Sequence, residues 1–408
     1  MRRKHLYSDP NRVEHIELDE SNTKRRWILV ILLLAIGVTA IGVGLYSALS
    51  RKSGWTEIEP LTGAAGCGAE FRLQYDLPEK NTTAVFRSLT ALYTSACERA
   101  AKVYDPGQTY DGVGNLCTVN RSPNKAVKVE PELYAALERI QASGNRVVYL
   151  APLYEIYYGL FVCTTDEEAA AYDPLQNPAV ADHFRELAAF ANDPEQIHLE
   201  LLGDQRVKLN VSEAYLQYAE ENGVESFLDL AWMKNAFITD DLAAALREQG
   251  FTDGYLQSYD GFGCNLCRSQ EPFGMTLFDR APNEVRVVAE LEYRRPITFA
   301  ALRSYAVNPN DSDLYYETEN GASRAIYLDP ADGQPKTAIN DLMLWSGKLS
   351  CSELVLCSAD VFTAEQFDPS GLQTGGLCYA YCDGREIVCN DPDVRLLRVL
   401  DGYTLRQD

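Results

Sequence analysis

Positive charge is what this chain has least of. Its 408 residues hold 37 Lys+Arg against 59 Asp+Glu, a net charge of −22. Nucleic-acid binding needs a basic surface to neutralise phosphates, so the balance excludes a nucleic-acid partner. Histidine is nearly absent, with 4 in all, and only His183 and His198 lie beyond residue 50. Neither has a cysteine near it in sequence, and Cys264-x-x-Cys267 has no second C-x-x-C to complete a zinc site. Thiols or disulfides therefore account for the cysteines better than zinc does. Fixed-period repeats and low-complexity tracts are also missing, which excludes a solenoid or a disordered chain.

Charge of either sign is missing from Trp27 to Leu49, WILVILLLAIGVTAIGVGLYSAL. An uncharged apolar run beyond about 18 residues reads as a transmembrane helix. This one exceeds the apolar core of a secretory signal peptide. Lys24, Arg25 and Arg26 precede it, with Arg2, Arg3, Lys4 and Arg12 further back, whereas only Arg51 and Lys52 follow closely. The positive-inside rule then predicts a cytoplasmic tail over 1–26, a single span over 27–49 and an acidic extracytoplasmic part, so the chain is placed at the cell membrane with its N-terminus inside. All 11 cysteines fall in that outer part. An oxidising compartment would allow disulfides there, at least one of them expected among Cys378, Cys382 and Cys389, and the odd count leaves at least one thiol free or paired in trans.

What the outer part does contain is ordinary globular sequence, 46% hydrophobic and 24% charged over the whole chain. Residues 50–79 read as a linker or stalk. A helix is predicted over 83–103, with Val85, Leu89 and Leu92 on one face. EPELYAALERIQASGN has Pro131 in its first turn, an apolar stripe and Gly144 to stop it. A strand, Val147 to Leu150, is expected next. Asn177 and Pro178 open a further helix, IHLELLGDQRVKLN reads as a hairpin, and SEAYLQYAEENG as a capped helix. A strand is expected to end at Asp229-Leu230, before a helix stopped by Gly250. Later strands are Tyr255–Gln257, GMTLF, EVRVVAELEYRR and RAIYL. Helices and strands mix without βαβ alternation, so the fold class is α+β.

Four segments of this region, taken in order and spacing, resemble the ApbE family of FAD:protein FMN transferases. The family's first motif, D-L-G-G-I-A-K-G-Y-A-V-D, matches Asp229-Leu230-Ala231-Trp232-Met233-Lys234-Asn235-Ala236-Phe237-Ile238-Thr239-Asp240, with both aspartates in register. The second, N-x-G-G-D, falls on Gln257-Ser258-Tyr259-Asp260-Gly261. The third, H-I-I-D-P-x-T-G-x-P, falls on Ile326 to Pro335 and keeps Asp329, Pro330, Gly333 and Pro335. The fourth, A-D-x-x-x-T, falls on Ser352-Glu353-Leu354-Val355-Leu356-Cys357. The resemblance spans residues 80–365, leaving 366–408 as a cysteine-containing extension.

The resemblance implies an ApbE-like mixed helix and sheet domain and an extracytoplasmic enzyme that splits FAD and attaches FMN to a Ser or Thr of a membrane electron-transfer protein. It implies FAD as substrate and Mg²⁺ as cofactor. Asp229, Asn235, Asp240, Ser258, Asp329 and Gly333 would then face the flavin nucleotide. Glu353, Cys357 and the backbone of Lys234 would hold the metal. No catalytic residue is assigned. The departures are chemical. Ala231 and Trp232 replace glycines that let phosphate approach the backbone. Asn235 replaces a lysine, and Cys357 offers a soft thiol where magnesium takes oxygen. Plainer roles exist for each residue: Asp229 at a strand end, Asp240 as a helix N-cap, Asp329 and Asp332 as turn formers, Glu353 on a solvated helix face, Cys357 and Trp232 in the core. Two functions stand side by side, an anchored flavin transferase and a non-catalytic ApbE-like domain that binds flavin or a partner protein.

Overall fold

The computed structural model describes residues 23–49, 53–61, 65–267, 272–281, 284–308, 312–372 and 376–407. Most of the tail assigned to 1–26, and the flanking Arg51 and Lys52, lie outside the described residues. Thr23–Leu49 is one continuous helix, and its segment Trp27–Gly44 is apolar, unburied and long enough to cross a membrane. At 1.5 Å per residue, a helix of this length extends roughly 40 Å.

The rest is organised by a nine-stranded sheet whose spatial order follows the chain. Its members are Gly54–Ile58, Phe71–Leu77, Gly254–Ser258, Phe262–Asn265, Thr298–Arg303, Asp341–Ser346, Cys378–Asp383, Glu386–Cys389 and Thr404–Gln407. Neighbours pair antiparallel until the last pair, which is parallel. The central strands are covered on both faces. In Thr298–Arg303, Ala300 and Leu302 enter the core beneath the helices, while Phe299 and Ala301 enter a second core. That second core packs against a smaller sheet of Phe273–Ala281, Glu284–Tyr293 and Arg395–Val399. Alternate side chains of one strand thus serve different cores, which is why DLMLWS is buried throughout and its centre, Leu342 to Trp345, is an unbroken apolar run.

The α+β class stands, and the helices with clear caps fall where their sequences put them. Pro131–Ser143 ends at Gly144 with φ 70°, and Asn177 caps Pro178–Asn192 through the Ala179 N–H. Four expectations are corrected. Val147–Leu150 is a 3₁₀ turn, because Pro152 carries the chain directly into the helix Ala151–Tyr157. No strand leads to Asp229. The backbone there is irregular and the Asp229 N–H donates to the Val148 carbonyl at 3.0 Å. The strand before the D-P turn ends at Ala325, and Leu328 makes only an isolated bridge to Pro335. The segments assigned as linker, 50–79, and as extension, 366–408, both supply strands to the large sheet.

Candidate functional site

The four segments, far apart in sequence, meet at the start of the helix Lys234–Glu248. The chain enters it through a 3₁₀ turn, Ala231–Met233. Ala231 has φ 49°, a left-handed conformation that glycine adopts freely and alanine resists. The backbone therefore keeps a glycine-like bend although the glycine is gone. Trp232 follows, 5% exposed, its ring edge-on to Tyr327 of the third segment at 4.8 Å. Tyr327 in turn meets Phe362, at the end of the fourth segment's helix, at 4.9 Å. Three aromatic rings fill the ground between segments. An indole at the second glycine position closes the backbone approach that a phosphate would need.

Asp240 joins the first segment to the fourth. It lies in the middle of its own helix, so the N-cap role expected for it there is corrected. Its carboxylate instead caps a different helix, Cys351–Phe362, accepting from the N–H groups of Cys351 at 2.7 Å and Ser352 at 3.0 Å. Arg139 donates to the same carboxylate at 3.1 Å. Burial pushes the Asp240 carboxyl up from its ordinary range, and these donors oppose the shift. Placing a carboxylate at a helix N-terminus satisfies otherwise orphaned N–H groups.

The fourth segment's own residues are engaged locally. Ser350 and Glu353 form a capping box, with the Ser350 N–H donating to Glu353 Oε2 at 2.7 Å and the Glu353 N–H donating to Ser350 Oγ at 3.4 Å. Cys357 sits one turn on, half-buried. Lys234 opens the helix of the first segment and its Nζ lies 3.6 Å from Glu70. No group of three His, Cys, Asp or Glu side chains able to hold a metal occurs among the described residues. One carboxylate committed to a cap and one soft thiol are a poor donor set for magnesium, which takes hard oxygen ligands in a strict octahedron. The residues present do not fit that ion.

Asp329 and Asp332 are bound within their own turn. The Ala331 N–H donates to Asp329 Oδ1 at 2.9 Å and the Gln334 N–H to Asp332 Oδ1 at 3.0 Å. Lys336 donates to the other oxygen of each, at 2.9 and 2.7 Å. Gly333 takes φ 70°, and a Cβ there would stand 2.5 Å from Leu153 Cδ2. Asp229 is half-buried, and burial raises its carboxyl above the ordinary range. Ser258 is fully buried, donating to the Phe262 carbonyl and accepting from the Phe262 N–H.

The second segment forms the turn Tyr259–Asp260 between two central strands. Asn235 Nδ2 donates to Asp260 Oδ2 at 2.9 Å, joining the first and second segments. Both side chains line a cavity of about 390 Å³, together with Ala69, Glu70, Tyr259, Asp313 and Leu314. Burial drives the Asp260 carboxyl up to about 6, and the neighbouring Ser258 and Asn235 side chains oppose the shift. Three of the lining residues carry carboxyl groups, Glu70, Asp260 and Asp313, and none is a lysine or arginine, whereas a pyrophosphate needs N–H donors and cations. The cavity as built does not fit a flavin dinucleotide's phosphates. Sequence reasoning named Asn235 but treated position 260 only as a lost glycine. Glu70 gave no signal, lying outside every motif.

The chain matches no protein family and no curated protein. Solved structures do resemble it. The flavin transferase ApbE from Vibrio cholerae aligns with a TM-score of 0.54 at 11% identity, over 86% of this chain and 99% of its own. The ApbE protein from Thermotoga maritima gives 0.54 at 11% identity, over 80% and 94%. The apo flavinyl transferase ApbE from Pseudomonas stutzeri gives 0.51 at 12% identity, over 82% and 93%. The likeness covers most of each chain. The fold here is the ApbE fold, preceded by one helix apolar enough to span a membrane.

Proposed function

We propose that this ApbE-fold chain is a membrane-anchored, extracytoplasmic binding domain that does not transfer FMN. One observation carries the reading: Asn235 and Asp260, at a phosphate-facing lysine and a glycine of the resembled motifs, are hydrogen-bonded to each other at 2.9 Å. A cation and an open backbone have been replaced by an amide and a carboxylate. Phosphoryl-type transfer from FAD depends on positive charge and metal to offset charge developing on the phosphates. A carboxylate in that place opposes it.

Flavin transfer, with FAD and Mg²⁺ and a Ser or Thr of a membrane electron-transfer flavoprotein as acceptor, is the second reading. What favours it is that all four segments still converge, through Trp232–Tyr327, Asn235–Asp260 and Asp240–Ser352. The two readings part in one experiment. The full chain in nonionic detergent is incubated with FAD, Mg²⁺ and a flavin-acceptor domain, and the acceptor's intact mass is measured. Unmodified acceptor is the expected result. An FMN adduct that needs this protein would sink the binding-domain reading.

A further inference from the structure

The other face of the large sheet holds a second cavity, of about 330 Å³. Phe299, Ala301, Met275 and Met343 line it and all belong to the second core, so it lies away from the helices. Arg303 follows Phe299 and Ala301 in the alternation of their strand and lines the same cavity. Its side chain is 10% exposed. A guanidinium carries five N–H donors in a planar fork. Here Nε is matched, donating to Asp341 Oδ2 at 3.3 Å. Nη1 and Nη2 make no hydrogen bond with any described residue. They are not sealed off either: Asp341 Oδ1 is among the buried polar atoms that lack both a partner and solvent, and these two nitrogens are not. One edge of a buried cation is thus open and reachable from the cavity, where buried polar groups are ordinarily paired.

Charge and shape narrow the ligand. No Asp or Glu lines this cavity, in a chain of net charge −22, so a cation has nothing to pair with there. Asp341 itself is 2% exposed and does not line it. No lysine or second arginine joins Arg303 in the lining, whereas a phosphate group carries close to two charges. A single carboxylate matches what is open, taking two parallel hydrogen bonds from the Nη groups. The guanidinium is held for it by Asp341 at Nε and by the Phe278 ring, whose centroid lies 5.2 Å from Arg303 Cζ. The rest of the wall is apolar. Tyr255 stacks on Phe299 with centroids 5.8 Å apart and planes at 20°, and both line the cavity with the two methionines. Such walls favour an aromatic body through ring–ring and sulfur–ring contacts. The volume is at the small end for ligand pockets, room for one ring and a short acid chain.

We propose that this cavity between the two sheets binds a small aryl carboxylate, its carboxylate on Arg303 Nη1 and Nη2 and its ring among Tyr255, Phe299, Met275 and Met343. Of the four segments only the second borders the site, through Gln257, Tyr259 and Gly261. The site stands apart from the binding-domain reading: it uses none of Trp232, Asn235, Asp240 or Glu353, and FMN transfer would leave it in place.

The test is calorimetry on the full chain in nonionic detergent at pH 7.5, with the titration into detergent alone subtracted. The probe is 3-phenylpropionate, and a dissociation constant below about 1 mM is expected. 3-Phenylpropanamide keeps the ring and loses the charge, and acetate keeps the charge and loses the ring. Each should bind at least about tenfold more weakly. Arg303→Lys keeps a cation for Asp341 and removes the fork, and should weaken binding of 3-phenylpropionate roughly 10- to 100-fold. Its fold is checked by the urea midpoint, and if it does not fold, the contrast between acid and amide on the wild-type chain decides. No binding of the acid up to about 10 mM, equal binding of acid and amide, or unchanged binding by folded Arg303→Lys overturns the proposal. Neither FAD nor acceptor is present, so this failure is separate from any finding of FMN transfer.

Discussion

Two turns in this molecule look alike as sequence and differ as chemistry. The turn from Asp329 to Lys336 keeps most of its motif, and the turn at Tyr259–Asp260 has lost its paired glycines. In the first, each carboxylate has a donor on both oxygens, from backbone N–H groups and from Lys336. In the second, Asp260 has one oxygen matched and one open. The better-preserved motif is the self-sufficient one, and it needs no ligand to account for it. The eroded motif is where buried acceptor oxygens, Asn235 Oδ1 and Asp260 Oδ1, are left without donors. Agreement with a motif can thus record a demand of the backbone, and a departure can mark a place where the chemistry changed.

The largest effect should come from breaking the self-sufficient turn. Gly333 takes φ 70°, and a Cβ there would meet Leu153 Cδ2 at 2.5 Å and the Phe184 carbonyl at 3.0 Å. A β-branched residue adds a backbone that it strongly resists. Gly333→Val should destabilise the domain by roughly 3–5 kcal/mol, read as a fall in the urea midpoint. Gly384→Ala has a similar φ of 61° but open space around the added methyl, and should cost only about 1 kcal/mol. Equal losses in the two variants would show that packing under the turn is not what fixes it.

Next in size is the joint that holds the segments together. Asp240→Ala leaves Arg139 without its partner and two N–H groups of the Cys351–Phe362 helix uncapped. We expect a loss of about 2–4 kcal/mol, the range for breaking a buried charged network. Asp240→Asn, which keeps an oxygen acceptor, should recover part of it. A loss below about 0.5 kcal/mol in a urea melt would mean the cap contributes little.

This joint also shows what the sequence can and cannot reveal. Helices with local caps were legible, because Asn177, Ser212 and Gly144 act on residues within one turn of themselves. Asp240 looked like such a cap, and its true partners lie more than a hundred positions away. Nothing in local spacing distinguishes the two. Val147–Leu150 failed for a different reason: four buried apolar residues have no periodicity, so strand and turn look the same. The segment 50–79 read as a linker because its edge strand Gly54–Ile58 alternates exposed Trp55 and Glu57 with half-buried Gly54 and Thr56 and buries only Ile58. The convergence of four segments was legible from their order. The chemistry at their meeting point was not, because Glu70 lies in none of them.

The comparison of the two turns sharpens with pH. The Asp260 carboxyl titrates near 6 in the fold against an ordinary value of 3.8. A carboxyl raised by folding favours the protonated protein. Its contribution is fully present below about pH 4, is lost as pH rises through about 6, and stays lost above. Asp260→Asn carries no charge and keeps an acceptor for Asn235. At pH 7.5 it should therefore raise stability by about 1–3 kcal/mol, and the stability curve should flatten between pH 4 and 6. The remaining slope belongs to the other carboxyls that burial raises, among them Asp241 and Asp341, pushed up to about 6, and Asp229 and Asp240. If Asp260→Asn gains stability, the buried carboxylate is held at a cost to the fold. A variant that loses stability at pH 7.5 would place Asp260 with the structural carboxylates of the D-P turn instead.

The smallest effect tests the left-handed bend at Ala231. Ala231 holds φ 49° at a position where the resembled motif has glycine. The left-handed conformation costs alanine roughly 1–2 kcal/mol relative to glycine. Ala231→Gly removes that cost. It also frees the unfolded chain, worth about 0.4–1 kcal/mol, and deletes a methyl that is only 7% exposed. The gain that survives should be a few tenths of a kcal/mol, read as a slight rise in the urea midpoint. Ala231→Val tests the same strain from the other side and should lose more than Ala231→Gly gains, since a branched side chain fits that backbone worst. If Ala231→Gly is instead clearly destabilising, the buried methyl outweighs the strain, and the bend is held by the packing of Trp232 on Tyr327. The glycine-like backbone would then persist because the aromatic filling that replaced the phosphate approach now requires it.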